Sequence, residues 1–576
     1  MVSPNLFKSS ENEQPAEINA DAKKLFQVIY SEQNQKEDLD EDTPRIKVST
    51  LISRLSFFYE KVRNAVDYDE DHLLRKNAIA RILRRQVMIE GALKESKTEE
   101  IASHLLVELI RGSYLPNNKI PETKIKEIAF LLDKYIRLKD AAVARINLGL
   151  NIKTDLNKAK DLIREKNGLV RWLLALAACE IEETLAPNKV KQMIVTNMFS
   201  ILSKKLRLPA DLPYNQDLEI QIYLSIGRNF LKLDNDILNF VLFKYFNSDW
   251  LEINSHAELT KEDQQKIKKI AAGLGELRRM VGEQLVHPLS KQIDKIARRY
   301  SLYFSILSET IEQDPTKAYS EVTKGEKSFL ALIRKVCLQK YKRAKKRLWR
   351  AAFRSIIYIF LTKSVFVFLI EIPAINWFGE PLNLISLAIN VSFPAILLFF
   401  IVLSTRTPKE ENTNKIVDGV KEIALTGSEK RQPLILRHPP RRSWLKDGIF
   451  NFIYAITFCV SIYFVIWALT KINFNWVSII IFLFFLAFVS FFSILTTKGV
   501  KELLVVEKKE NFINFFLDLF YMPIIIVGRW LSGEFSKINV FVFLFDFVIE
   551  APFKVLVEIG EDWTRYVRER RDNLEN

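Results

Sequence analysis

Histidine, cysteine and methionine are scarce in these 576 residues: five His, three Cys and six Met. Cys179, Cys337 and Cys459 lie far apart with no pairing pattern, which excludes a disulfide scaffold and suits a reducing cytosol. The five His (His72, His104, His256, His287, His438) form no HExxH or HxxxH pair, and no CxxC occurs, so a dedicated His/Cys metal site is not expected. No P-loop and no G-x-S-x-G elbow is present. Gly273, Gly275 and Gly282 lack a preceding strand, which makes them a poor dinucleotide loop. The acids Asp67, Asp69, Glu70 and Asp71 beside His72 read as the capped start of a helix rather than a metal site. Cys179, within LLALAACEIEE, reads as core. No catalytic residue, cofactor or metal is expected, and no motif carries a family resemblance.

What is present is divided along the chain. Of the 41 Phe, 29 fall in residues 351–576, whereas the first 350 residues are polar and charged. A single soluble globule and a mostly disordered chain are both excluded. The N-terminal stretch MVSPNLFKSSENEQ lacks a basic region followed by an apolar run, so no signal peptide is expected. Four apolar runs follow much later: Phe353–Pro373, Leu384–Ser404, Ile449–Thr470 and Trp476–Thr496. Each, at about 21 residues, makes a helix of about 32 Å, enough to cross a hydrocarbon core. The last three carry no charged side chain.

Basic residues orient these spans, because Lys and Arg stay on the cytoplasmic side. Residues 334–354 hold Arg334, Lys335, Lys340, Lys342, Arg343, Lys345, Lys346, Arg347, Arg350 and Arg354 with no acid between them. The connection 374–383 has no basic residue, while 405–448 is rich in them and includes RHPPRR at Arg437–Arg442. The expected topology is a plasma-membrane, multi-pass protein with both termini cytosolic. Tryptophan supports these boundaries: Trp349 and Trp377 bracket the first run, Trp444 and Trp467 the third, and Trp476 opens the fourth.

Ahead of the collar, helical periodicity dominates. Residues 1–46 read as an acidic, partly disordered segment, and 47–320 as a cytosolic α-helical domain. The first helix is expected in 47–65, from Val48, Leu51, Ile52, Leu55, Phe58 and Tyr59, and a break is expected between Leu274 and Val281. No fixed repeat recurs, although a solenoid of diverged helix pairs stays open. Residues 321–354 read as a basic juxtamembrane helix leading into the first hairpin, 353–404. A cytosolic basic loop, 405–448, separates it from the second hairpin, 449–496. The fold class is therefore all-α, a helical bundle or irregular stack joined to a four-span membrane domain, with six spans as the alternative. Within 497–576, Phe512–Val527 and Val540–Pro552 are short and carry acids, which favours re-entrant or interfacial helices. Leu556, Ile559, Trp563, Tyr566 and Val567 give the tail an amphipathic face.

Two sets of residues carry a functional expectation. Lys340, Lys342, Arg343, Lys345, Lys346, Arg347, Arg350 and Arg354 form a collar beside the bilayer, where each cation gains about 1 kcal/mol against anionic headgroups. The collar also fits a purely topological role, and nucleic acid is not an expected partner. Lys363 and Glu371 lie inside the first run, where ionisable groups are expensive. Asp518, Asp546 and Glu550 in the C-terminal segments are candidate partners for Lys363. The leading expectation is a membrane-tethered scaffold or adaptor that binds an unidentified cytosolic protein or an anionic lipid surface, with a homo-oligomer left open. The alternative is a small channel or transporter lined by Lys363, Glu371, Asp518 and Asp546, and the third is a lipid-headgroup enzyme.

Overall fold

Pro, Gly and capping side chains punctuate long stretches of helical periodicity, and helices form nearly everywhere between them. The computed structural model describes residues 17–34, 44–49, 70–90, 98–151, 156–253, 259–405, 407–426, 433–439, 444–506 and 512–537, with a few single positions elsewhere. The fold is all-α. The two named strands, Leu206–Arg207 and Leu434–Ile435, are two residues each and pair in parallel. The chain divides into two compact units. A helical unit comprises Ser31–Ser301, Gln432–Arg437 and Phe541–Asn576; a membrane unit comprises Met1–Tyr30, Leu302–Arg431 and His438–Val540. Residues 302–320, grouped by sequence with the cytosolic domain, cluster with the membrane unit.

The helical unit is built from Asp71–Glu90, Thr98–Arg111, Thr123–Asn151, Leu156–Leu185, Lys189–Lys205, Asp217–Ile226, Asn235–Phe246, Ser248–Glu252 and Lys261–Leu285. Their starts are fixed by side chains that satisfy free backbone N–H groups. Asn188 accepts from the Lys191 amide, Asp234 from Ile237, and Thr260 and Asp263 close a reciprocal capping box. Leu105, Leu176, Phe240, Phe243 and Trp250 meet in one core, each contributing about 1.5–3 kcal/mol by burial. Charge enters this core only with partners. Lys76 Nζ contacts Asp234 at 2.5 Å and Asp236 at 3.0 Å. Glu180 accepts from Lys134, Tyr135 and Trp250.

Two expectations change here. Residues 45–49 are extended rather than helical: Asn117 brackets Val48, accepting from its N–H and donating to its carbonyl, and Arg45 bridges Pro121. The remainder of the proposed 47–65 helix lies almost wholly outside the described residues. The expected break after Leu274 is absent, since Lys261–Leu285 is one helix. Its glycines are tolerated because Ile267, Ile270, Leu274, Leu277 and Val281 are buried, offsetting about 1 kcal/mol per Gly. The chain turns later, before Pro288, where proline's restriction on the preceding residue disfavours continued helix.

In the membrane unit, four helices are long and apolar enough to cross a bilayer: Glu326–Trp377, Leu384–Leu403, Trp444–Lys471 and Trp476–Lys501. The first begins one residue after Gly325, whose φ of 136° ends the preceding helix, Pro315–Lys324. It therefore starts at Glu326 rather than 321, and runs as α-helix to Phe366, about 61 Å. A π-turn, Val367–Glu371, and a short helix, Ile372–Trp377, complete it. Inside the basic loop lies an unexpected helix, Glu410–Ala424, which buries Ile416, Val417, Val420 and Ile423. The spacing of these four is the amphipathic signal that the count of Lys and Arg obscures. Residues 17–19 pair with its end, the Asn19 N–H donating to Ala424, and Ala20–Asn34 is helical with Leu25, Phe26 and Ile29 buried. That part of the N-terminal segment is ordered. Phe512–Lys537 is also one continuous helix through Pro523, not a short interrupted piece. The Ser461 hydroxyl donates to the Phe520 carbonyl near that Pro, where the helical ladder is interrupted.

Candidate functional site

Two groups of sequence-selected residues acquire a defined setting. The first is the basic collar. Lys340 and Arg343 are drawn onto Glu309, at 2.8 and 2.5 Å, and Lys340 also donates to Ser305. Arg334 pairs with Glu410 on the loop helix. Lys342, Lys345, Lys346 and Arg347 are exposed and form no ion pair among the described residues. Arg350 and Arg354 are exposed one turn apart, with Arg354 Nε donating to the Arg350 carbonyl. With Trp349 and Phe353 they line an open pocket of about 560 Å³. The collar thus has an inner side fixed to protein carboxylates and an outer side of free cations.

The second group is a polar cluster buried within the membrane unit. Eight residues separate Lys363 from Glu371. At about 100° per residue, an unbroken α-helix would leave them about 80° apart around its axis. The π-turn Val367–Glu371 accommodates one extra residue and takes out about 100°, which brings the two within about 20°. Both side chains are fully buried, with Nζ 3.8 Å from Oε2, too long for a hydrogen bond. Glu371 Oε1 accepts from the Ser478 hydroxyl at 2.8 Å and from the Asn390 amide. The Asn390 amide also donates to the Ser478 carbonyl. Lys363 Nζ lies 3.8 Å over the Phe485 ring and 5.2 Å over Phe366. Among the described residues, three polar atoms in this cluster have no hydrogen-bond partner: Lys363 Nζ, Glu371 Oε2 and Asn390 Oδ1.

Among the described residues, the carboxylate nearest Lys363 is Glu371, on its own helix. The side chain of Asp518 and all of Asp546 and Glu550 lie outside the described residues. Asn390 and Ser478 were not singled out by sequence, because one Asn and one Ser in apolar helices look like tolerated polar residues. A signal was available: Asn390 lies four residues before Pro394, which cannot donate the backbone hydrogen bond that would normally reach the Asn390 carbonyl. The tryptophans divide by setting. Trp349 is half-buried against Phe399, while Trp377, Trp444, Trp467 and Trp476 are exposed, Trp476 meeting Phe378 edge-on at 4.7 Å. Of the tail face, Ile559, Trp563, Tyr566 and Val567 are described and exposed. Among the described residues, no group of three or more His, Cys, Asp or Glu is placed to hold a metal ion.

In the helical unit, burial dominates the titratable groups. It pushes the Cys179 thiol well up and the His72 imidazole down. Burial also pulls Lys76 down, but hydrogen bonds and charge from Asp234 and Asp236 outweigh it, for a net rise. Cys179 is buried in the core, and Lys76 is held between two carboxylates. No family model, curated protein sequence or solved structure matches the chain.

Proposed function

We propose that this protein is a membrane-tethered scaffold whose basic collar engages anionic lipid headgroups at the cytosolic face of the plasma membrane, and whose helical unit binds a protein partner there. One observation carries the reading. Lys342, Lys345, Lys346 and Arg347 stand exposed, unpaired among the described residues, on a helix that continues unbroken into the first apolar stretch. At about 1 kcal/mol per cation, four free residues favour anionic over zwitterionic lipid by up to about a thousandfold at low salt. In this reading the N-terminal region, the 405–448 segment and the C-terminus face the cytosol, following the distribution of Lys and Arg.

The test is reconstitution of the full chain into nanodiscs of mixed anionic and zwitterionic lipid, followed by a count of retained anionic lipid. Wild type should enrich it. Replacing the four cations with Gln should cut the enrichment severalfold per residue at low salt, and a much smaller effect should be seen at high salt. Equal lipid retention by wild type and variant would remove the headgroup half of the proposal. Cross-linking in the native membrane tests the other half, where recovery of a lone monomer would count against a scaffold.

A second reading, a transporter, draws on the polar cluster beside two interrupted helices, the π-turn in the first and Pro394 in the second. Full burial of Lys363 and Glu371 favours the scaffold, because neither residue lines an open path. Substrate flux into sealed liposomes would reverse that order.

A further inference from the structure

The cluster around Glu371 has an unusual accounting of donors and acceptors. An ionised Glu371 would leave Oε2 as a buried anionic oxygen with no donor among the described residues and with Lys363 too distant to supply one. Burying such an atom costs several kcal/mol. Asn390 Oδ1 is at the same time an acceptor without a donor, on the side chain already bonded to the same carboxylate. One proton on Oε2 removes the charge from that oxygen and adds a donor to a cluster that holds an unused acceptor. The Lys363 ammonium also faces the Phe485 and Phe366 rings, which supply part of its stabilisation apart from the carboxylate.

The two ends of the site differ. Toward the connection 378–383 the neighbouring residues are polar: the Ser478 hydroxyl donates to Glu371, the Ser478 N–H donates to Asn475 Oδ1, and Asn475 Nδ2 donates to the carbonyl of exposed Pro381. Around Lys363 the surface is apolar, with the Phe366 and Phe485 rings packed on Nζ and edge-to-face with each other at 5.1 Å. The π-turn that ends at Glu371 sets where the carboxyl points, because an unbroken α-helix would carry it about 100° away from Lys363.

We propose that Glu371 is an intramembrane proton-binding site, filled and emptied from the face opposite the basic collar. The step is the gain or loss of one proton at Oε2, with Lys363, 3.8 Å away, as counter-charge to the ionised form. Charged neighbours are few. Lys363 comes from the collar helix; Leu384–Leu403 brings no charged residue, and Trp476–Lys501 none before Lys498. Ile372–Trp377 brings none, and the connections at that end hold Glu380 and Lys471. On Phe512–Lys537, which packs on Trp476–Lys501, the charged residues are Asp518, Arg529, Glu534 and Lys537.

The test is infrared difference spectroscopy of the full chain in proteoliposomes as pH is changed on one side at a time, across about pH 4 to 10. A protonated-carboxyl band should appear and vanish with pH on the face opposite the collar, respond little to pH on the collar face, and be missing in Glu371→Gln. Lys363→Met should move the pH at which the band appears by about one unit or more, and Ser478→Ala should also move it. Both variants keep the carboxyl, so the result does not depend on Glu371→Gln folding. A band absent at every pH in wild type, or one unmoved by Lys363→Met, would overturn the proposal and leave a static ion pair. Equal response to pH on both faces would overturn the one-sided access.

Discussion

Asn412 shows how a single residue holds distant parts of the membrane unit together. Its amide donates to the Tyr341 hydroxyl and the Leu503 carbonyl, while Oδ1 accepts from the Val505 and Val506 amides. Asn412→Ala strands several of these groups in a buried setting, for an expected loss of about 3 kcal/mol. Thermal unfolding of the detergent-solubilised protein should show a lower midpoint, with the membrane unit unfolding first. In the helical unit, Lys76→Met removes a buried cation from Asp234 and Asp236 and should cost about 2–3 kcal/mol. Asp234→Ala should cost about 1 kcal/mol more, because the same carboxylate also caps the helix Asn235–Phe246. Comparing the two variants by denaturant-dependent proteolysis separates the ion pair from the cap. Sequence pointed to Lys363 because a charge in an apolar run is conspicuous, yet it gave no sign of Asn412, an ordinary polar residue in a polar stretch.

Close helix approach depends on positions where no side chain fits. A Cβ at Gly528 would lie 1.9 Å from the Ala487 carbonyl oxygen, so Phe512–Lys537 and Trp476–Lys501 touch backbone to backbone there. Gly528→Leu should force these two helices apart and abolish a disulfide engineered between them, while leaving Leu384–Leu403 in place. At Gly419 a Cβ would meet the Tyr303 ring at 2.4 Å, so Gly419→Val should displace the loop helix Glu410–Ala424. Faster hydrogen exchange confined to 410–426 would mark that displacement. The four apolar helices could be read from sequence because their apolar runs exceed what a soluble helix sustains. The loop helix could not, because its basic residues suggest a topological role and its apolar face needs a partner to be meaningful.

Over the whole molecule, pH stability should be set by the helical unit. Burial holds His72 below its ordinary value, with the Lys191 charge adding to the effect; burial also lowers His287, against the opposing pull of Asp217. Unfolded chains therefore bind more protons than folded ones below about pH 6.5, and stability present above that value is lost as pH falls through the folded values. Pulse proteolysis of the full chain should report a weaker Ser31–Ser301 segment at about pH 5 than at about pH 7, and His72→Gln should flatten the dependence. Glu182, raised by burial, acts with the opposite sign, its contribution being lost as pH rises through its folded value.

Composition and periodicity by themselves determined the all-α class, the four apolar helices and the basic collar, because each is a local property of one segment: length, hydropathy or charge. Tertiary structure alone decided which collar cations are free and which are bound to Glu309, and that Lys363 meets Glu371. The physical reason is register. One extra residue in a single turn rotates every later side chain by about 100°, and nothing in the order of the residues announces where that turn will be.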